Sequence, residues 1–207
     1  MNKQPEVCER TKENLVEAFW KLYRENTVNK ITVKNITNLA GYNRCTFYQY
    51  FSDIHDLMEY AENKLLAEML EFLESIAKNY SSKGIITKIT MAYEHYGHKL
   101  SILFGQNGDP AFARKYKKAL LPLFVKEFDL DQNDPRVEIF FEFSLGAIIS
   151  AVTYWYDQDK PISAESVAGL LHTSFESVIP TLKKSVSIDQ NDETKAATLS
   201  VATQSKE

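Results

Sequence analysis

Residues 31–51 read ITVKNITNLAGYNRCTFYQYF. Thr32 is a residue type that caps a helix, because its hydroxyl accepts from one of the unpaired N–H groups of the first turn. Val33, Ile36, Leu39 and Ala40 then recur at helical spacing and predict a short helix that buries this face. Gly41 breaks the pattern where a left-handed residue suits a helix end. Asn43 is placed to cap a second helix, Arg44 to Tyr50, that buries Phe47, with Phe51 a candidate beside it. Two short helices around a glycine turn are the parts of a helix-turn-helix. In that motif the second helix enters the DNA major groove N-terminus first.

The ordered set Thr32, Val33, Ile36, Ala40, Gly41, Thr46, Tyr48 and Phe51 resembles the helix-turn-helix of the TetR family of bacterial transcriptional regulators. The likeness extends from about Thr11 to about Leu66. Asn43 stands at the family's serine, Cys45 at its glycine and Tyr50 at its histidine. Ile54 stands where family members usually carry a lysine on the fourth helix, which implies either that His55 beside it partly replaces that phosphate contact or that affinity is lower. The resemblance implies an all-α protein with a three-helix DNA-binding head and a C-terminal helical bundle for ligand binding and dimerisation. It implies no cofactor.

Residue chemistry adds roles. Arg44 and Gln49 are types that read base edges, each good pair worth ~1–3 kcal/mol of discrimination. Tyr42, Asn43, Thr46 and Tyr48 suit phosphates. Thr32 and Lys34 are phosphate candidates at the start of the preceding helix. From Asn26 to Ser52 the chain carries Lys30, Lys34 and Arg44 and no Asp or Glu, although its net charge is −4. An acidic protein thus leaves this segment free of negative charge, which matters within a Debye length of ~8–10 Å.

Apolar residues are 44% of the 207, with seven glycines, six prolines and few alternating runs, so the class is globular and helical. Cys8 and Cys45 match no zinc spacing and make no disulfide framework. Cys45 reads as a small buried or groove-facing residue. His95 and His98 share a helix face, where packing outweighs metal binding. No catalytic constellation or phosphate loop stands out, and catalysis is not expected. No signal segment is seen, and the apolar run 143–156 is short for a bilayer, so the cytoplasm is the expected location.

The first helix, from Thr11 to near Glu25, should cover the back of the motif with Leu15, Ala18, Phe19, Leu22 and Tyr23, after a frayed start to about residue 9. The boundaries expected are a head at 1–52, an effector and dimerisation domain at 53–184 and a disordered tail at 185–207. Within the body, Ser52-Asp53 caps a long helix to near Tyr80. Helices 85–104 and 111–128 follow, then an almost wholly apolar helix from Pro135 to Tyr156 and a last helix after Ser163. Met91, Tyr93, Tyr96, Leu103, Phe104, Phe112, Tyr116 and Phe124 are pocket candidates, since family members enclose a small-molecule effector there. Ile148, Val152, Trp155, Leu171 and Phe175 are candidates for a homodimer interface of two helices per protomer. The expected partners are a palindromic operator in double-stranded DNA, a second copy and an effector, and no membrane. Residues 107–112 (NGDPAF) and a later TYWY helix resemble a branch whose members answer to kinase-like proteins, which implies a docked protein partner as the alternative.

Overall fold

The computed structural model describes residues 5–79, 84–105 and 108–176. Every regular element in them is helical: α1 (Pro5–Glu25), α2 (Val33–Ala40), α3 (Arg44–Tyr48), α4 (Ile54–Asn79), α5 (Ile85–Phe104), α6 (Pro110–Phe128), α7 (Pro135–Asp157) and α8 (Ala164–Glu176), with a 3-10 turn at Val28–Lys30. The expected tail, 185–207, lies outside the described residues.

Short polar side chains start these helices by accepting from first-turn N–H groups. Thr32 Oγ1 accepts from Asn35 N and Asn35 Oδ1 from Thr32 N, each at 3.2 Å, a reciprocal box that starts α2. Asn43 Oδ1 accepts from Thr46 N at 2.8 Å and starts α3. Asp53, Asp109, Asp134 and Ser163 do the same for α4, α6, α7 and α8. Gly41 ends α2 at φ +77°, a conformation that would strain a Cβ-bearing residue.

Three local expectations change. Helix α1 begins at Pro5, not near Thr11, because Pro suits a first turn. Leu39 is 51% exposed, and the buried face of α2 is completed by Thr37, whose Oγ1 donates to Val33 O at 2.8 Å. Helix α3 closes at Tyr48, two residues early, in a tight turn from Phe47 O to Tyr50 N and Phe51 N.

Helices α1–α3 form a head around Leu15, Phe19, Ile36, Phe47 and Phe51. Trp20 is also buried, at 4% exposure, with Lys99 of α5 over its ring. The head is also fastened from outside. Glu9, Glu13 and Glu17, one turn apart on α1, meet Tyr60, Lys64 and Lys99 at 3.3, 3.1 and 3.4 Å. Such exposed pairs contribute little singly. Helix α5 is the hub of the body, packing on α4, α6, α7 and α8 and touching α1. Its Tyr93 hydroxyl lies 2.9 Å from Thr153 Oγ1 of α7.

Helix α7 has 23 residues and contains an 18-residue stretch of mean hydropathy 1.5, so by length and composition it could cross a bilayer, contrary to expectation. Its inner face is committed to the core through Phe140, Phe141, Leu145, Ile148, Val152 and Trp155.

Candidate nucleic-acid interface

Phe47 fixes how α3 sits: it is fully buried, so the opposite side of this one-and-a-half-turn helix must face out. Arg44 and Gln49 are exposed, as is Tyr48 at 58%. Thr32, Lys34 and Asn43 are exposed and Tyr42 and Thr46 half-buried, so all eight expected residues reach the surface of one motif.

Hydrogen bonding sorts them further. Tyr42 Oη accepts from Asn14 Nδ2 at 2.9 Å, which leaves its own proton to donate outward. Asn43 Oδ1 is occupied by Thr46 N and by Thr46 Oγ1 at 3.1 Å, so only the amide of Asn43 is left to donate. The Thr32 hydroxyl bonds to Asn35 Oδ1, and its site offers mainly the N–H groups of the first turn. Lys34 and Arg44 supply charge. Cys45 is exposed on this same helix, the groove-facing option. Ile54 is half-buried against the core while His55 is exposed, so of the two only His55 is placed to reach a phosphate.

No family model matches the sequence, and no curated protein does. Solved structures do. A TetR-family transcriptional regulator of Syntrophomonas wolfei aligns with a TM-score of 0.62 at 14% identity, covering 83% of this chain and 95% of its own. One from Streptococcus agalactiae gives 0.60 at 22%, covering 82% and 95%, and one from Streptomyces coelicolor 0.59 at 15%, covering 92% and 98%. The chain has the TetR fold.

In this TetR-fold chain the expected pocket residues are mostly filled core. Tyr93 and Phe112 are 0% exposed, Tyr116 1% and Leu103 2%, and the rings of Phe104, Phe112 and Tyr116 pack on one another at 5.2–6.1 Å. Met91, Tyr96 and Phe104 are half-buried, with Tyr96 Oη donating to Glu68 O at 3.3 Å. Only Phe124 of the eight borders the void between α5, α6 and α7. That void measures about 20 Å³ and is lined by Phe124, Phe128, Phe140, Phe141 and other apolar side chains, with Ser144 its one polar group. It holds about one water.

The dimer candidates lie mostly inside the protomer. Ile148, Val152 and Trp155 are 4%, 0% and 5% exposed inside their own protomer, and Trp155 Nε1 donates to Ile162 O at 2.9 Å. Leu171 is half-buried against the same core, and the Phe175 side chain lies outside the described residues. The outward stripe of α7 is Ile139, Phe143, Gly146, Ser150 and Tyr154, joined by Gly169 and Leu170 of α8. Ile139 is 71% exposed, Phe143 63%, Tyr154 69% and Leu170 66%. A Cβ built on Gly146 or Gly169 meets nothing within 4 Å, so both glycines face open space.

The histidines part company. The His95 ring stacks on Phe72 at 5.2 Å. His98 borders an open polar cleft of about 540 Å³ with Arg24, Asp157, Asp159 and Lys160, and burial, helped by Lys99, lowers its pKa. Among the described residues no three potential metal ligands gather.

Proposed function

We propose that this chain is a cytoplasmic, homodimeric transcriptional regulator whose residues 1–52 bind a palindromic operator and repress the promoter that contains it. The observation that carries the reading is α3, anchored by a fully buried Phe47 with Arg44, Tyr48 and Gln49 on its exposed side, in a segment without a carboxylate. Arg44 and Gln49 read bases, while Tyr42, Thr46, Tyr48, Lys34 and the first turns of α2 and α3 hold phosphates. The exposed apolar stripe of α7, continued by Gly169 and Leu170, forms the twofold contact. It sets the two α3 helices ~34–36 Å apart, or a multiple, to match successive grooves.

Fluorescence anisotropy on palindromes from the gene's own promoter tests this. Arg44→Ala should weaken binding by ~1–3 kcal/mol and relax preference at one base pair. Unchanged affinity and preference would remove α3 from the interface.

Release from DNA requires a signal that favours one head spacing over another. A small neutral effector would have to widen the void at Ser144. Because that void holds only about 20 Å³ as it stands, a protein partner docked on the body is the second reading. A metabolite screen by thermal shift separates them, since a ligand specific to the folded form raises the melting temperature.

A further inference from the structure

Helix α4 joins head to body, and its core stripe of Leu57, Ala61, Leu65, Met69 and Leu73 is interrupted by one ionisable group. Glu62 is 1% exposed. Its Oε2 lies 3.7 Å from Lys115 Nζ, while its Oε1 has no hydrogen-bond partner. Lys115 is shared: its Nζ also lies 3.7 Å from Glu59 Oε1 and 3.2 Å from Asn63 Oδ1. The groups that act on Glu62 come from three directions. Tyr23, 1% exposed, belongs to α1 of the head; Asp109 and Lys115 belong to α6 and its cap; Glu59 lies one turn back on α4. Two carboxylates and one shared, half-exposed lysine do not neutralise a buried anion. An unpaired buried charge is among the costliest features a core can hold, whereas the neutral acid costs far less.

We propose that Glu62 is a proton-operated latch between head and body: as the neutral acid it lets α1, α4 and α6 close on one another, and as the carboxylate it loosens that junction. Burial first, then the charge of Asp109, pushes its carboxyl up to about 7, with Lys115 pulling the other way. The same site raises the Tyr23 hydroxyl to about 12, first by burial and then through Glu62 and Asp109, so the phenol stays a proton donor throughout. The latch therefore works in the range where cytoplasmic pH varies. Given the DNA-binding reading above, on which this consequence rests, a loosened junction lets each head wander from the spacing that matches successive grooves. Affinity for DNA falls as pH rises.

The test uses the full chain and Glu62→Gln, which keeps the shape and cannot ionise. Hydrogen exchange of α1 amides, corrected for the intrinsic rate, is followed from near pH 6 to near pH 8, and anisotropy with a promoter palindrome at the same two values. A carboxyl moved from 4.5 to about 7 predicts that wild-type protection in α1 falls about tenfold across this range, while Glu62→Gln stays flat. DNA affinity should fall by up to the same factor in the wild type alone. Equal pH responses in both proteins overturn the latch. So does a Glu62 carboxyl that titrates below about pH 5 by carbon NMR of the wild type, a measurement that stands even if the variant does not fold. If α1 responds and DNA binding exists but ignores pH, the regulatory consequence is overturned. If neither protein binds DNA at either pH, the functional reading fails while the exchange data still decide the latch.

Discussion

If the outer stripe of α7 forms the proposed twofold contact, Phe143→Glu should yield monomers without unfolding them. Phe143 is 63% exposed in the protomer, so the monomer gives up little when the ring is removed. Burying a phenylalanine fully contributes ~1.5–3 kcal/mol, and the part still exposed here would contribute about 1–2 kcal/mol per protomer at an interface. Twofold symmetry doubles this to about 2–4 kcal/mol per dimer. Each glutamate adds the cost of an unpaired carboxylate, ~1–3 kcal/mol or more. The sum exceeds about 4 kcal/mol, or about a thousandfold in the dissociation constant. Sedimentation velocity at micromolar concentration reads the mass, and circular dichroism confirms that helix content is kept. The contrast is Trp155→Glu, which places a charge beside Val152 in a protomer core where Trp155 is 5% exposed. It should unfold the chain rather than dissociate it. A Phe143→Glu protein that remains a dimer with unchanged affinity would refute the assignment of this face.

Stability should fall as pH rises, through Glu62. A group whose carboxyl titrates at about 7 folded and 4.5 unfolded holds a proton more firmly in the native state. Its contribution is complete below 4.5 and gone above about 7, a span worth about 3 kcal/mol at ~1.4 kcal/mol per pH unit. Urea melts at a series of pH values should show this slope in the wild type and not in Glu62→Gln. Gly97→Ala should also destabilise, because its new Cβ would lie 2.3 Å from Tyr156 Cε2 and 2.4 Å from Cδ2. A clash of this kind costs ~1–3 kcal/mol. Tyr156→Ala should relieve part of it, so the double variant melts at a denaturant concentration above the sum of the single effects; strict additivity would show that the ring is not the obstacle.

The head was legible in the sequence because its signals are local. Thr32 and Asn43 cap the helices they precede, Gly41 takes the left-handed turn, and Phe47 alone of α3 faces in. Leu39 was misplaced because Val33, Ile36 and Ala40 fit an inward face with either Leu39 or Thr37, and only the packing of α1 against α2 selects Thr37. The body was less legible, since its aromatic content says how much there is to bury and not whether a void remains. Tyr93, Phe112 and Tyr116 fill the space they were expected to line.

Helix α7 shows the same limit in its sharpest form. It carries two apolar stripes at helical spacing, Ile148-Val152-Trp155 and Ile139-Phe143-Gly146-Ser150-Tyr154. Periodicity finds both and cannot say which faces the chain's own core. A clue lay in side-chain size. The stripe with Trp155, Phe140 and Phe141 has the volume to fill a protomer core, while the one with Gly146 and Ser150 is shaped for another helix to approach closely. Glu62 illustrates the converse: one carboxylate among Met58, Leu65 and Met69 is a single interruption that a periodic reading passes over as noise. Its significance depends on Tyr23, Asp109 and Lys115 arriving from α1 and α6, which sequence spacing does not encode. Local chemistry therefore marks out the exposed face of α3 proposed to meet DNA, whereas the coupling of that surface to the rest of the molecule depends on contacts that only the assembled helices create.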